Sequence, residues 1–254
     1  MGAGHVHRLY VRGDSPVHRL PPQCKLVAHL AFVLAVVATP RERVWAFAAY
    51  AALLAAVAAA ARIPYGTVLR RTMIEVPFVA FALAMPFVAT GPETAVLGLH
   101  LSVEGLWGAW NILAKGTLGV VASVLLAATT EPRLLLHGIE RLRMPQPITQ
   151  IAAFMLRYGD VVAAELGRMR TARAARGFEP RGLRDARVLA RSLGALFLRS
   201  YERGERVHLA MVSRGYDGRM PVPYDVAASP RQWSAAAALP LAAALIALAA
   251  WTVP

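Results

Sequence analysis

The sequence predicts an all-α, polytopic membrane protein with about five transmembrane helices and a pair of long helices outside the bilayer. Of the 254 residues, 57% are hydrophobic and 17% are charged, whereas soluble domains carry about 25% charged residues. Long runs of the chain also contain no Asp, Glu, Lys or Arg. Finally, the chain has 28 basic and 15 acidic residues, and the basic excess is concentrated in 133–219. These observations argue against an ordinary soluble enzyme and against a disordered chain.

The uncharged runs determine where the spans are expected. A helix rises about 1.5 Å per residue, so roughly 20 apolar residues cross the hydrocarbon core of a bilayer. The runs 44–61 and 232–254 are long enough, 26–40 is short, and the run 105–130 is interrupted only by Lys115. The expected spans are 25–39, 43–61, 72–90, 105–129 and 232–252.

Arginine distribution sets the expected orientation, because basic loops tend to remain in the cytoplasm. The segment 133–219 carries 17 arginines and eight acidic residues, and we place it in the cytoplasm of a multi-pass protein of the cell membrane. Five spans then put the N-terminus inside and the C-terminus outside. The turn 39–43 would face outward with two arginines, against the rule, and a re-entrant first hairpin is the alternative.

Four regions follow from this reading. They are a cytoplasmic N-terminal segment at 1–24, membrane helices at 25–130, the long cytoplasmic helices at 131–220, and a linker with the last span at 221–254.

Apolar residues recur every three or four positions in the cytoplasmic region, which predicts two long amphipathic helices. The first is expected to begin near Pro147 and to end at Gly177, and the second to end at Gly215, because glycine is the usual left-handed cap. The expected apolar faces consist of Ile151, Met155, Tyr158, Val162, Leu166 and Met169 in the first helix, and of Leu189, Leu193, Phe197, Tyr201, His208 and Met211 in the second.

The two helix ends repeat one pattern. Residues 175–181 read Ala-Arg-Gly-Phe-Glu-Pro-Arg, and residues 213–219 read Ser-Arg-Gly-Tyr-Asp-Gly-Arg. Small residues beside the arginine let another protein approach closely, and the guanidinium offers a rigid fork of donors to a carboxylate. Two ordinary helix stops are the alternative interpretation. The candidate docking residues are Ala175, Arg176, Gly177, Ser213, Arg214 and Gly215.

Paired arginine–glycine ends after a block of spans resemble the transmembrane T component of energy-coupling factor transporters, and within it the cobalt-transport branch called CbiQ. The stretches 15–20, 154–158 and 211–219 are also similar to that family, and the resemblance covers roughly 15–220. Family members often have Asp-Pro where this chain has Pro21-Pro22, and often Ala where it has Ser213.

The resemblance implies a scaffold that binds two ATP-binding-cassette ATPases and a separate substrate-binding membrane subunit. Its two coupling helices are expected to cross on the cytoplasmic side, with Arg176 and Arg214 each entering a groove on one ATPase. The solute is selected by another subunit. The resemblance to the CbiQ branch favours cobalt or nickel as the solute, and a vitamin is the alternative. The sequence does not decide whether the two ATPases are identical.

No catalytic, cofactor or metal site is expected in this chain. It has no Gly-x-x-x-x-Gly-Lys-Ser/Thr loop, no metalloprotease histidine pair and a single cysteine, Cys24, so ATP hydrolysis is assigned to the partner subunits and the chain itself is not expected to be an enzyme. His5 and His7 near the N-terminus could bind a metal, but two histidines on a tail are more often solvated, and this is the interpretation adopted. Intramembrane charges are functional candidates by default. Glu75, Glu104 and Lys115 are nevertheless interpreted as structural, with Lys115 pairing with Glu104 or another acid.

Two other function classes compete with the coupling subunit. A stand-alone secondary transporter or channel predicts more buried ionisable groups and repeated spans than the sequence contains. A membrane-anchored nucleic-acid binder is suggested by the basic region, but Phe154, Tyr158, Phe197 and Tyr201 fall on apolar faces instead of forming a stacking platform. We therefore expect lipid and protein partners and no nucleic acid.

Overall fold

The computed structural model describes residues 9–90, 92–96, 99–178, 182, 185–218 and 227–252. The predicted helical class is confirmed, with one short antiparallel strand pair in addition. The helices are α1 (Pro22–Ala38), α2 (Val44–Ala60), α3 (Tyr65–Thr72), α4 (Val76–Val88), α5 (Val103–Thr129), α6 (Pro132–Arg141), α7 (Gln146–Ala175), α8 (Ala186–Val212) and α9 (Pro230–Thr252), and the strands are β1 (Glu93–Val96) and β2 (Leu99–Ser102).

The described residues form two compact units. The first, called the membrane unit here, consists of 9–142 and 227–252, and the second, called the hairpin unit, consists of 143–218. Helix α6 packs against α1 and so belongs to the membrane unit. The packing is close because a Cβ at Gly138 would lie 3.0 Å from the backbone of Pro22 and Gln23.

Three stretches of the membrane unit are long and apolar enough to cross a bilayer. They are Tyr65–Val88, where a 3-10 turn at Met73–Glu75 joins α3 to α4, and the helices Val103–Thr129 and Pro230–Thr252. They correspond to the last three predicted spans. Helices α1 and α2 have 17 residues each, about 26 Å, which is shorter than the roughly 30 Å hydrocarbon core. The first two predicted spans are thus apolar helices of less than spanning length.

Tyr50 lies at the centre of the membrane unit. Its ring is fully buried and meets the rings of Phe32 and Phe47 edge to face, at centroid distances of 5.8 and 6.4 Å. Its hydroxyl lies 2.8 Å from Oγ1 of Thr39 and donates to the carbonyl of Ala243 at 3.3 Å. One side chain therefore joins α1, α2 and α9 by both apolar packing and hydrogen bonds.

Helices α4 and α5 approach each other closely at Gly105. A Cβ on this residue would lie 2.7 Å from the carbonyl oxygen of Met85 and from Cα of Pro86. The start of α5 is capped by Ser102, whose Oγ accepts the amide of Gly105 at 3.3 Å. The strand pair β1–β2 thus leads the chain directly from α4 into a helix that packs back against it.

Candidate functional site

The two arginine–glycine sequences end α7 and α8 with the same backbone structure. Gly177 and Gly215 are left-handed, with φ of 74° and 86°. The amide of Phe178 donates to the carbonyl of Arg173 at 3.1 Å, and the amide of Tyr216 donates to that of Met211 at 3.0 Å. Each glycine amide also donates to the carbonyl three residues earlier, at 2.9 Å. Both ends are therefore Schellman caps, and the predicted glycine stops are confirmed.

The first arginine end (Ala175–Gly177) and the second arginine end (Ser213–Gly215) are open to solvent. All six residues are exposed, and a Cβ added at either glycine would meet nothing within 4 Å. Among the described residues, the guanidinium groups of Arg176 and Arg214 have no hydrogen-bond or ion-pair partner. Two fixed helix ends therefore present arginines whose donors are available to another molecule.

Some other arginines of the hairpin unit are engaged within it, whereas Arg157 and Arg191, which are also exposed, have no partner among the described residues. Arg168 and Arg199 both form ion pairs with Glu165, the second at 2.6 Å, and Arg173 donates to Oγ of Ser192 at 2.9 Å. Hydrogen bonds from Arg168 and then Arg199 lower the pKa of the Glu165 carboxyl below its ordinary value. The motif arginines thus differ from Arg168, Arg173 and Arg199 in being unengaged, and from the other unpaired arginines in lying at the capped helix ends.

Side-chain contacts at three levels show that α7 and α8 run antiparallel. Near the start of α7, Tyr216 contacts Gln150, with the hydroxyl donating to Oε1 at 3.0 Å. The Glu165–Arg199 ion pair lies near the middle, and the contact between Arg173 and Ser192 lies near the end of α7. The first arginine end therefore lies at one end of the helical pair and the second at the other. Gln150 and Arg176 are 26 residues apart along α7, so these ends are about 40 Å apart.

The helical pair has little core of its own. Thr149 is the one buried residue of α7 and Leu196 the one buried residue of α8. A groove of about 400 Å³ lies between the helices, and the ion pair between Glu165 and Arg199 lines it. Large apolar side chains on the predicted faces stay exposed, among them Ile151, Met155, Val162, Leu193, Phe197 and Tyr201. The amphipathic pattern is present, but within this unit its apolar face is only partly covered.

The charged residues beside the spans are engaged, although not in the predicted pair. Lys115 donates to the carbonyl of Val37 at 2.7 Å, and Glu104 pairs with Arg41 at 3.1 Å. The pairing of Lys115 with Glu104 is therefore wrong: the two lie eleven residues apart on α5, about 16 Å, and α1 offers Lys115 a carbonyl while the turn after α1 offers Glu104 an arginine. Glu75 is buried and accepts a hydrogen bond from Thr117 at 3.1 Å.

A buried ammonium group was missed by the sequence reasoning. Lys25, only 8% exposed, donates to the carbonyls of Thr129 at 2.9 Å and His18 at 3.3 Å, and to Oγ1 of Thr130 at 3.0 Å. A lysine at the start of an otherwise uncharged run was the available signal, but only the folded chain identifies its acceptors. His5 and His7 lie outside the described residues, within which no three His, Cys, Asp or Glu side chains group as a metal site would require.

Comparison with known proteins gives consistent matches. Residues 13–224 match the family CbiQ, described as cobalt transport protein. The chain is 31% identical over 223 residues to the energy-coupling factor transporter transmembrane protein EcfT of Thermanaerovibrio acidaminovorans, covering 82% of each chain. It is 32% identical over 222 residues to the EcfT of Heliobacterium modesticaldum, covering 82% of this chain and 83% of the relative. It is also 27% identical to the cobalt transport protein CbiQ of Rhodobacter capsulatus over 171 residues, 67% of this chain and 68% of that one.

Proposed function

This chain belongs to the CbiQ family of cobalt transport proteins, and from that premise we propose that it is the coupling subunit of an ATP-driven importer. In this proposal the membrane unit lies in the cell membrane and the hairpin unit lies in the cytoplasm. Two ATPase subunits supply the ATP hydrolysis, and a separate membrane subunit binds the solute. The names of the curated relatives, transmembrane proteins of energy-coupling factor transporters, support this assignment.

The observation that carries the proposal is the pair of equivalent, exposed arginine ends. Two copies of one docking structure suit a pair of similar ATPases, and a separation of about 40 Å leaves room for one ATPase at each end. Each guanidinium can make a two-pronged contact with a carboxylate in an acidic groove. Because the Schellman cap fixes the backbone next to the arginine, less conformational entropy is lost on docking than with a flexible loop.

Coupling then depends on the stiffness of the two helices. If ATP-driven closure brings the ATPases together, the two arginine ends move with them. The contacts through Glu165, Gln150 and Ser192 hold α7 and α8 as one body, so displacement at the ends is passed along both helices. The exposed apolar side chains of α7 and α8 offer a surface to which the substrate-binding subunit would bind, so that it would move with the two helices.

The solute in this proposal is a divalent transition metal. Cobalt is the favoured candidate, and nickel is the alternative. The family description and the Rhodobacter capsulatus relative support cobalt. Specificity is assigned to the substrate-binding subunit, and this chain supplies the coupling.

Replacing both motif arginines tests the proposal. The double variant R176A/R214A removes the docking forks and is expected to abolish recovery of the ATPases with the complex and ATP-dependent cobalt uptake. Stranding a buried carboxylate on the partner costs about 3–5 kcal/mol at each end. The matched control is R157A/R191A, which removes the same charge from exposed positions within α7 and α8. Wild-type ATPase recovery and uptake in R176A/R214A would overturn the proposal.

A further inference from the structure

The two arginine ends are anchored differently. At the second end, Gln150 near the start of α7 uses both atoms of its amide. Its Oε1 accepts from the Tyr216 hydroxyl at 3.0 Å, and its Nε2 donates to the carbonyl of Gly218 at 2.7 Å. Tyr216 directly follows the second arginine end, so one side chain holds the segment after Arg214 at two points, the Tyr216 hydroxyl and the Gly218 carbonyl.

The first arginine end cannot use the same contact. The residue that corresponds to Tyr216 is Phe178, which has no hydroxyl to donate. The link between the helices there runs from Arg173 to Ser192, which holds the last turn of α7 and leaves the backbone after Gly177 out of the contact. Identical caps are therefore supported by different side chains.

This difference affects how each arginine is presented to a partner. A Schellman cap fixes three or four residues, but the direction in which the chain leaves the cap depends on what the following residues contact. Gln150 is half-buried and makes two hydrogen bonds to the segment that leaves α8, which fixes that direction relative to α7. Preorganisation of this kind raises affinity because less freedom is lost on binding.

We propose that Gln150 is a positioning residue for the second arginine end: through Tyr216 and Gly218 it fixes how Arg214 is presented to the acidic groove of its ATPase. The inference rests on the proposed function. Its consequence is that the two ends are not equivalent. Docking at the second end depends on a polar side chain from the far end of α7, whereas docking at the first end does not.

Matched crosslinking probes can measure ATPase docking at the two arginine ends separately. Ala172 and Ala210 are exposed alanines, each four residues before a motif arginine and hence on its face of the helix. A cysteine at either position, in a background with Cys24→Ser, carries a thiol-linked photocrosslinker in the full complex with its ATPases. The yield of ATPase crosslinked from each probe then reports docking at that end.

Q150A and Y216F are expected to lower ATPase capture from position 210 about fivefold, corresponding to the net worth of about one hydrogen bond, and to leave capture from position 172 unchanged. S192A is the control for capture from position 210. It removes the contact with Arg173 at the first end and leaves the contacts of Gln150 intact, so this capture should not change. Equal loss at both positions, or no loss at 210, would overturn the inference.

R214A separates this inference from the proposed function. If R214A leaves capture at position 210 unchanged, Arg214 is not a docking residue and the proposed function fails. If R214A abolishes capture there while Q150A and Y216F retain it, the docking function stands and the positioning role of Gln150 is wrong.

Discussion

Lys25 joins three parts of the membrane unit through one ammonium group. It lies at the start of α1, and its acceptors are the segment before α1, through His18, and the C-terminal end of α5, through Thr129 and Thr130. A cation at a helix C-terminus is favourable, because the last carbonyls there carry the negative end of the helix dipole. The same residue thus satisfies backbone groups at the point where α5 ends.

Replacing Lys25 by methionine is expected to destabilise the membrane unit by about 1–3 kcal/mol, because the buried oxygens of Thr129 and Thr130 lose their donor while apolar volume is kept. Thermal unfolding in detergent measures the change. K115M is the control: Lys115 is less buried and donates to the single carbonyl of Val37, so the loss should be smaller. Equal losses in the two variants would contradict the role given to Lys25.

At the scale of secondary-structure elements, two contacts determine the packing. The ion pair between Glu165 and Arg199 joins α7 to α8 near their middle, and the close approach at Gly105 joins α4 to α5. One contact depends on charge and the other on the absence of a side chain. The first contact is therefore expected to respond to pH, and the second to an added methyl group.

The Glu165 contact is expected to be lost in acid. Because Arg168 and Arg199 lower its pKa, this carboxylate stabilises the helical pair above the unfolded value of about 4.3 and stops doing so as the pH falls through the lower folded value. Hydrogen exchange of the backbone amides around Arg199 measures this stabilisation. E165Q should exchange faster than wild type at neutral pH, and the difference should vanish once the pH has fallen below the lowered pKa of Glu165. A difference that persists in acid would show that another property of Glu165 is responsible.

Two glycines of α5 offer a matched test of close packing. G105A places a methyl group 2.7 Å from the backbone of α4 and is expected to destabilise the protein by about 1–3 kcal/mol. G108A meets nothing within 4 Å and should be neutral or stabilising by up to about 1 kcal/mol, because alanine favours helix more than glycine does. Apparent melting temperatures in detergent compare the two. The packing account would be wrong if G105A were as stable as G108A.

At the scale of the whole molecule, the chain divides into an apolar unit and a basic unit. The membrane unit contains the three helices of spanning length, and the hairpin unit carries the exposed arginine ends. This division follows the charge segregation of the sequence. Orientation in the membrane remains a prediction from the arginine distribution.

Cysteine labelling from each side tests the orientation, in a background with Cys24→Ser. An impermeant maleimide should label Ala172→Cys in inverted vesicles, and Thr252→Cys in intact cells, because both positions are exposed. The opposite pattern would reverse the orientation. Glu42→Cys distinguishes the two alternatives for the first hairpin: five full crossings make it accessible from outside, whereas a re-entrant hairpin leaves it at membrane depth and unlabelled from outside.

Local features of this protein could be predicted from the sequence. Uncharged runs located the three apolar stretches of spanning length within a few residues, except that α3 begins at Tyr65, ahead of the span expected at 72–90. The positions of Gly177 and Gly215 predicted the two helix ends. Both predictions depend on interactions between residues close in the chain, namely the hydropathy of a continuous run and hydrogen bonds within one turn.

Only the tertiary structure decided which distant groups meet. Two of the three acceptors of Lys25 lie more than 100 residues away, at the C-terminal end of α5, and Lys115 contacts Val37 instead of Glu104. The antiparallel course of α7 and α8 brought Gln150 to Tyr216, which no local pattern relates. The physical reason is that partner choice for a charged or polar side chain depends on how the helices pack, and many packings satisfy the same hydropathy pattern. The sequence therefore determined the elements and their ends, whereas helix packing determined which polar and charged side chains pair.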